Sequence, residues 1–275
     1  MNNVQTLGRL LATACALAAA TFSTDSSAAN VGIYGNCSAT ADTIVVAAGH
    51  TPVAVSSLSA SSLNGLAALF DNTCGYSSNA AVDAAVANGM TLIVHDWSVA
   101  QQSQLPGHPA VSAVQSSGTD LEFPAGSPIA SGVAGTLNGS SLDGGNWSYH
   151  GYVHAASLPA GSQALLTTPT PSHVVTFEYG YGRGRVIYSA IPLTWYFPGG
   201  AGASGVAGPG MRAYAANLIG WAAGPSFTTC AAEGYRGGQL TMCQKICESN
   251  LTGSALSGLI KLYVAAYREQ PACSR

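Results

Sequence analysis

Residues 77–98 read SSNAAVDAAVANGMTLIVHDWS, and this stretch predicts the fold class. Ser78 or Asn79 can cap a helix, and Gly89 can end it. The apolar stripe between cap and stop has helical spacing and consists of Ala81, Val82, Ala85 and Val86. Met90–His95 then forms an apolar run of strand length. A helix that leads directly into a buried strand is typical of α/β proteins.

The same alternation of short β-branched runs and alanine-rich stretches extends from Asn30 to about Gly224. It predicts a parallel sheet that is covered by helices. In addition to Met90–His95, we predict strands at Val31–Tyr34, Thr43–Ala47 and Leu66–Phe70.

The second half of this region is less regular at first. Residues 106–148 are rich in Gly, Ser and Pro and have weak periodicity, so we predict long irregular loops there. The runs HVVTFEYG and RVIYSAIP follow, joined by a glycine-rich turn that indicates a hairpin. We predict a helix at Met211–Ala223.

The first 29 residues have the composition of a secretory signal peptide. Arg9 precedes the uncharged run Leu10–Ala20, which at about eleven residues is shorter than the roughly 20 that a membrane-spanning helix needs. We expect cleavage after Ala29, with Ser27 at the −3 position and Asn30 as the first mature residue. The expected location is therefore secreted, either periplasmic or extracellular.

Charged residues make up only 8% of the chain, and the formal net charge is −3. The sequence has no basic patch that would favour nucleic acid. It has no polybasic or amphipathic segment that would favour a membrane surface, and no later apolar run of spanning length. We expect neither a nucleic-acid partner nor a membrane span, and the sequence leaves the oligomeric state open.

An exported chain with an even number of cysteines is expected to form disulfides. Six cysteines follow the predicted signal peptide: Cys37, Cys74, Cys230, Cys243, Cys247 and Cys273. We expect all six to be paired in three bridges.

Residues 225–275 form a second composition regime, with four of the cysteines and more charge per residue. We predict two short helices there, and a unit this small needs covalent bridges. Cys243 and Cys247 are four apart and share a helix face, and both are expected to bond to Cys230 and Cys273 in a pairing that the sequence leaves open. A zinc site would need close cysteine pairs on both sides and is not expected. The stripe of the second helix is Leu256, Leu259, Ile260, Tyr263, Val264 and Tyr267.

The order of several segments resembles a known family. GLAALFDNTCGYSSNAAVDAAVANGMTLIVHDWS is followed by GSPIASGV, VVTFEYGYGRGRVIYSAIPLTWY and MRAYAANLIGWAAG. This series resembles the trehalose-utilisation (ThuA-like) branch of the class I glutamine amidotransferase-like fold, and also a group of exported bacterial proteins with that domain. The resemblance implies a flavodoxin-like or amidotransferase-like, mostly parallel sheet flanked by helices over residues 30–224. A small disulfide-stapled helical unit would follow at 225–275.

The resemblance also concerns a nucleophile. Amidotransferases of this fold carry a cysteine on the turn after a central strand, and the corresponding turn here reads His95, Asp96, Trp97. In a flavodoxin-like strand order the first and third strands are neighbours, which places Cys37 and Cys74 side by side. We therefore expect a disulfide between Cys37 and Cys74 rather than a catalytic thiol.

Ligands of open α/β sheets bind beyond the carboxyl ends of the strands. Polar and aromatic side chains stand at or near such ends here, and the candidate ligand-binding residues are Asp71, His95, Asp96, Trp97, His150 and Trp195. Further side chains from the loops that could join them are Asn146, Trp147, His154 and Tyr196. The alternative is structural, with His95 and Asp96 hydrogen-bonded to each other and to nearby backbone while Trp97 packs.

Other chemistries have weaker support. His95, Asp96, His150 and His154 are suitable ligands for zinc or another first-row metal, but their spacing matches no recognised signature. Gly151 and the β-prone residues after it place the last two histidines on a strand or loop. No Gly-x-Ser-x-Gly motif occurs. We expect no metal and no cofactor.

Two hypotheses follow. In the first, the chain is an exported, non-catalytic, degenerate amidotransferase-like module that binds a glycan or small polar ligand or has an accessory role. In the second, it is an exported hydrolase that uses His95, Asp96 and His150, with or without a metal ion. The missing nucleophile favours the first.

Overall fold

The computed structural model describes residues 28–145, 147–224, 230, 235–247, 253–269 and 271. Residues 1–27 of the predicted signal peptide, Asn146 and Cys273 lie outside the described residues, as does the side chain of Cys247. The described residues form eleven strands: β1 (Asn30–Tyr34), β2 (Thr51–Val55), β3 (Ala68–Asp71), β4 (Thr91–His95), β5 (Ala113–Gly118), β6 (Ser131–Gly132), β7 (Gly135–Thr136), β8 (Tyr149–His154), β9 (Gln163–Thr167), β10 (His173–Tyr181) and β11 (Gly184–Ser189).

Nine of these strands form one mixed sheet. β2, β1, β3, β4 and β11 lie side by side in that order and run parallel. β10, β8 and β5 extend the sheet with antiparallel pairing, and β9 pairs with β10. The parallel half has the flavodoxin-like strand order, so the predicted α/β fold class is confirmed.

Two helix pairs flank the sheet. They consist of α1 (Asp42–Ala47), α2 (Ala60–Leu63), α3 (Ala80–Ala87) and α4 (Gly208–Ala223). α1 contacts α4, which lies against β3 and β4, whereas α2 contacts α3, which lies against β4 and β11. A 3₁₀ helix at Leu193–Tyr196 follows β11 and contacts α4.

The stretch from α3 to β4 has the predicted structure. The Asn79 side chain caps α3 by accepting hydrogen bonds from the backbone N–H groups of Ala81 (2.9 Å) and Val82 (3.2 Å). After α3 the chain turns through Gly89, whose φ is +118°, a conformation that favours glycine. All five residues of β4 are buried, as expected of a central parallel strand.

The predicted hairpin is also confirmed, because β10 and β11 pair antiparallel from Thr176–Ser189 to Tyr181–Gly184. Gly182 lies in the turn with a φ of +60°. A Cβ atom at this position would lie 2.5 Å from the Cα of Ala87, so the turn can sit against the end of α3 only with glycine here.

The strand predicted at Thr43–Ala47 is wrong, because these residues belong to helix α1. The β-branched run TIVVA is short, and a short apolar run fits a strand and a buried helix equally well. Ile44 and Val45 are buried while Val46 is exposed, and α1 packs against α4. Tertiary packing therefore overrides β-propensity, and the second strand is instead the edge strand Thr51–Val55.

The prediction of irregular loops over residues 106–148 is wrong for one segment. Ala113–Gly118 forms β5, the outermost strand of the main sheet, and pairs with β8. Its residues are half-buried or exposed, which explains the weak periodicity. Elsewhere in this region β6 and β7 form a separate two-stranded sheet.

The C-terminal region contains the two predicted helices, α5 (Gly237–Cys247) and α6 (Gly253–Tyr267). A disulfide joins Cys230 to Cys243, with their Cα atoms 5.8 Å apart. The hydrophobic cluster around it is distinct from the main core and includes the buried residues Tyr235, Ile246 and Tyr263. Leu259, Ile260 and Tyr267 of the predicted stripe pack against it.

Candidate functional site

A cleft of about 520 Å³ lies where the carboxyl ends of several parallel strands meet. Its walls come from the loops after β1, β3, β4 and β11 and from the beginning of β8. β1 and β3 flank the switch point of a flavodoxin-like sheet, where ligands of such folds bind. The lining residues are Cys37, Ser38, Cys74, Trp97, Trp147, His150, Pro192, Thr194 and Trp195.

Three exposed tryptophans dominate this cleft. Trp97 is 46% exposed, Trp147 58% and Trp195 43%, although tryptophan is usually well buried. The ring of His150 lies edge-on to two of them, with ring centroids 6.0 Å from Trp97 and 5.8 Å from Trp147. The structure therefore brings together Trp97, His150 and Trp195 and adds Trp147.

The predicted Cys37–Cys74 disulfide is confirmed and forms part of the cleft wall. The two Cα atoms are 5.7 Å apart, and the Cys74 sulfur lies 3.8 Å from Oγ1 of Thr194. Asn72 also connects the loops after β1 and β3, because its side chain donates hydrogen bonds to the carbonyls of Gly35 (3.3 Å) and Ala39 (3.0 Å). The two disulfides within the described residues indicate an oxidising, non-cytosolic compartment.

Asp96 is fully buried and holds the loop that carries Trp97. Its carboxylate accepts hydrogen bonds from the backbone N–H groups of residues 98, 100 and 101, from the Ser98 hydroxyl (2.7 Å) and from the Tyr188 hydroxyl (3.0 Å). Val99 in this loop has a φ of +53°, which is rare for a β-branched residue. The Asp96 bonds therefore fix a strained loop conformation rather than face the cleft.

His95 is fully buried as well. Its ring stacks on Phe70 with centroids 5.3 Å apart, and neither ring nitrogen has a hydrogen-bond partner among the described residues. The hydrogen bond to Asp96 considered in the structural alternative is absent from the described contacts. Burial lowers the pKa of His95 to about 4, so the ring is neutral at pH 7.

Asp71 lies at the end of β3, is buried and is not among the residues that line the cleft. It accepts hydrogen bonds from the Thr73 hydroxyl (2.8 Å) and the Thr73 backbone N–H (3.3 Å). Burial raises the pKa of this carboxyl to about 6, and the Thr73 bonds offset part of the effect.

The remaining candidates have mixed positions. His154 is on β8, as the strand prediction required, and lies opposite His173 of β10. Tyr196 is buried and donates a hydrogen bond from its hydroxyl to the Trp147 carbonyl (3.1 Å), which supports the loop of that tryptophan. Within the described ranges, no three His, Cys, Asp or Glu side chains form a metal-binding group. No helix in the described part of the chain is long and apolar enough to cross a membrane.

Several residues that line the cleft or hold its loops were not identified by the sequence analysis. Thr194 and Pro192 line the cleft from the segment after β11, and Ser38 lines it beside the disulfide. Short polar residues in loops carry no signal of their own. Tyr188 contacts Asp96 although the two residues are 92 positions apart in the sequence, and no local sequence pattern indicates such a contact.

Comparisons with known proteins concern the fold only. No protein-family model matches the sequence, and no curated protein matches it. A cytoplasmic protein from Salmonella typhimurium is 11% identical over 60% of this chain and 88% of its own, with a TM-score of 0.38. A protein described as ThuA-like from Bacteroides uniformis is also 11% identical, over 59% of this chain and 81% of its own, with a TM-score of 0.38.

A third similar structure is an exo-β-1,4-mannosidase from an Opitutaceae bacterium. It is 14% identical over 61% of this chain but only 32% of its own length, with a TM-score of 0.34. Likeness of this extent shows neither a family nor an activity for this chain.

Proposed function

We propose that this chain is an exported, non-catalytic binding module that holds a saccharide in its tryptophan-lined cleft. The observation that carries the proposal is the convergence of Trp97, Trp147 and Trp195 on one cavity of about 520 Å³. Keeping three large aromatic side chains half-exposed forgoes the stability that their burial would give. Such an exposed apolar cluster in a concave site is typical of ligand recognition.

The chemistry of the cleft favours a sugar. A pyranose ring presents a flat face of C–H groups that can stack on an indole ring, and its hydroxyls lie at the rim. Each indole also carries an N–H group that can donate a hydrogen bond to a hydroxyl. His150, Ser38 and Thr194 supply further polar atoms in the same cleft. The cavity volume lies within the range of about 300–1,000 Å³ that is usual for small-ligand sites.

The lining gives little support for catalysis. The described residues of the lining include no Asp, Glu, Lys or Arg, whereas glycoside hydrolysis by the usual route needs two carboxyl groups. Cys74, which could serve as a nucleophile in an amidotransferase-like site, is bonded to Cys37.

The alternative is an exported hydrolase that uses His95, Asp96 and His150. Hydrolysis would require these three to face one substrate, but His95 and Asp96 are fully buried. Both carboxylate oxygens of Asp96 already accept hydrogen bonds. These positions favour the binding module.

We further assign the chain to the ThuA-like branch of the amidotransferase-like fold, on the motifs of its sequence. Secretion after cleavage at Ala29 agrees with the two disulfides. In this proposal the cysteine-rich region at 225–275 has an accessory role.

The test is a panel of neutral, soluble oligosaccharides of glucose, mannose, galactose, xylose and N-acetylglucosamine, titrated by calorimetry. We expect at least one to bind the wild type. Trp97→Ala, Trp147→Ala and Trp195→Ala should each weaken binding at least about tenfold. Val133→Ala, which removes an exposed apolar side chain outside the cleft, is the matched control and should bind normally.

A reducing-end assay on the same mixtures tests the non-catalytic part of the proposal. We expect no new reducing ends. Product formation that is lost in His150→Ala would support the hydrolase instead, and a panel without any binder would refute the saccharide proposal.

A further inference from the structure

His150 occupies a fixed position between two cleft tryptophans. It is the second residue of β8, and its backbone N–H donates a hydrogen bond to the Ala190 carbonyl (3.0 Å) just after β11. The ring meets Trp97 at an interplanar angle of 89° and Trp147 at 74°. Contacts with two indoles define the plane of the imidazole before any ligand arrives.

His150 also offers hydrogen-bonding groups to the cleft. Neither of its ring nitrogens takes part in a hydrogen bond among the described residues, although the side chain is only half-buried. The two hydroxyls of the lining lie near disulfide sulfurs, with Ser38 Oγ 3.9 Å from Cys37 and Thr194 Oγ1 3.8 Å from Cys74. The imidazole nitrogens are therefore available to a polar ligand, in addition to these two hydroxyls.

The ring is neutral at pH 7. Burial lowers the pKa of His150, and no charged side chain within the described residues contributes to the shift. The surrounding elements contribute Trp97, Trp147, Thr194 and the disulfide, none of which titrates near neutral pH. The adjacent Tyr149 has a pKa raised by burial and also stays neutral. A neutral imidazole provides one donor and one acceptor.

The absence of charge among the lining residues has a consequence for selectivity. An anionic sugar would find no cation among the described lining residues, so it would lose hydration without an ion pair, whereas a cation could still contact the indole faces. We propose that His150 is the specificity-determining residue of the cleft and selects uncharged saccharides, with one ring nitrogen accepting a hydrogen bond from a sugar hydroxyl. This inference rests on the proposed function, because it deepens the role of the same site.

The test uses three variants and two pH values. His150→Phe keeps an aromatic ring between the two tryptophans but removes both nitrogens, whereas His150→Gln keeps a donor and an acceptor that do not titrate. His173→Phe is the control, because His173 stacks on Tyr152 outside the cleft. Calorimetry would measure the affinity for the tightest neutral oligosaccharide of the panel at pH 7.5 and pH 5.0, with circular dichroism to check folding.

Protonation of His150 as the pH falls should weaken binding by wild type and His173→Phe, because the protonated ring no longer accepts a hydrogen bond. His150→Phe should bind about tenfold more weakly than wild type at pH 7.5, which corresponds to one lost hydrogen bond, and should show little dependence on pH. His150→Gln should retain measurable affinity that is independent of pH. An oligogalacturonate should bind more weakly than the neutral sugar at pH 7.5.

One result would overturn the inference while leaving the proposed function intact, namely binding by His150→Phe that is as tight as that of wild type. Tighter binding of oligogalacturonate than of any neutral sugar would also overturn it. If the wild type binds no saccharide at either pH, the proposed function itself is refuted, and the inference falls with it.

Discussion

Replacing the Cys37–Cys74 disulfide by a serine pair should lower the stability of the chain by a calculable amount. The two residues are 37 positions apart, and in the chain-entropy model a loop of this length corresponds to about 4 kcal/mol at 25 °C. The fold should persist, because the backbone N–H of Cys37 still donates to the Asn72 carbonyl (2.9 Å) and the Asn72 side chain still ties the two loops.

The same substitution should weaken ligand binding, because both cysteines line the cleft. Without the bridge, the loops after β1 and β3 can separate, and the cleft loses part of its preorganised wall. We therefore expect lower saccharide affinity for Cys37→Ser/Cys74→Ser at a temperature where the variant is fully folded.

Urea denaturation, followed by far-ultraviolet circular dichroism, measures the stability change. The midpoint should fall by an amount equivalent to about 4 kcal/mol when the wild-type slope is used. Ser56→Ala is the matched control, because Ser56 is exposed, lies outside the cleft lining and leaves the disulfide in place. A loss below about 1 kcal/mol, or no change in affinity, would refute the reasoning.

Three further predictions concern buried polar groups. Asp96→Ala removes an acceptor from the buried Tyr188 hydroxyl and from part-buried backbone N–H groups, so it should lower the free energy of unfolding by about 3 kcal/mol or more; a loss near zero would contradict the hydrogen-bonded loop. His95 binds fewer protons in the folded state (pKa about 4) than in the unfolded state (pKa 6.5). The free energy of unfolding of wild type should therefore fall by about 3 kcal/mol as the pH decreases from 6.5 to 4, and urea titrations of His95→Leu should show a smaller loss. Asp71 binds more protons in the folded state (pKa about 6) than in the unfolded state. As the pH rises from 4 to 6, the free energy of unfolding of wild type should therefore fall by about 3 kcal/mol relative to that of Asp71→Asn, and parallel pH dependence of the two would contradict this.

Much of the fold could be predicted where a segment is long and its periodicity agrees with its environment. The α3 to β4 stretch and the β10–β11 hairpin meet this condition. In the first, the helix cap, the apolar stripe of the helix, the terminating glycine and the buried strand all indicate the same structure. Thr43–Ala47 does not, since its residues favour a strand locally while packing against α4 selects a helix. β5 gives a weak signal because an exposed edge strand has no buried face to impose alternation.

For the candidate site, sequence reasoning indicated the edge of the sheet at which the cleft lies but could not assign each side chain to a surface. Trp97 and His150 line the cleft, whereas His95 and Asp96, next to Trp97 in the chain, are buried. The difference arises from non-local contacts. Asp96 is covered by the loop that its own carboxylate organises and by Tyr188, and His95 is stacked on Phe70. Neither contact produces a periodic pattern in the sequence.

The central claim is that the tryptophan-lined cleft binds a saccharide, and the indole N–H signals in a two-dimensional nitrogen–proton NMR spectrum test it most directly. The chain has four tryptophans, and the one outside the cleft, Trp221, donates its indole N–H to Glu178 (2.8 Å). On titration with the tightest neutral oligosaccharide, the signals of Trp97, Trp147 and Trp195 should shift while that of Trp221 stays in place. Shifts confined to Trp221, or no shift in any of the four signals, would contradict the account.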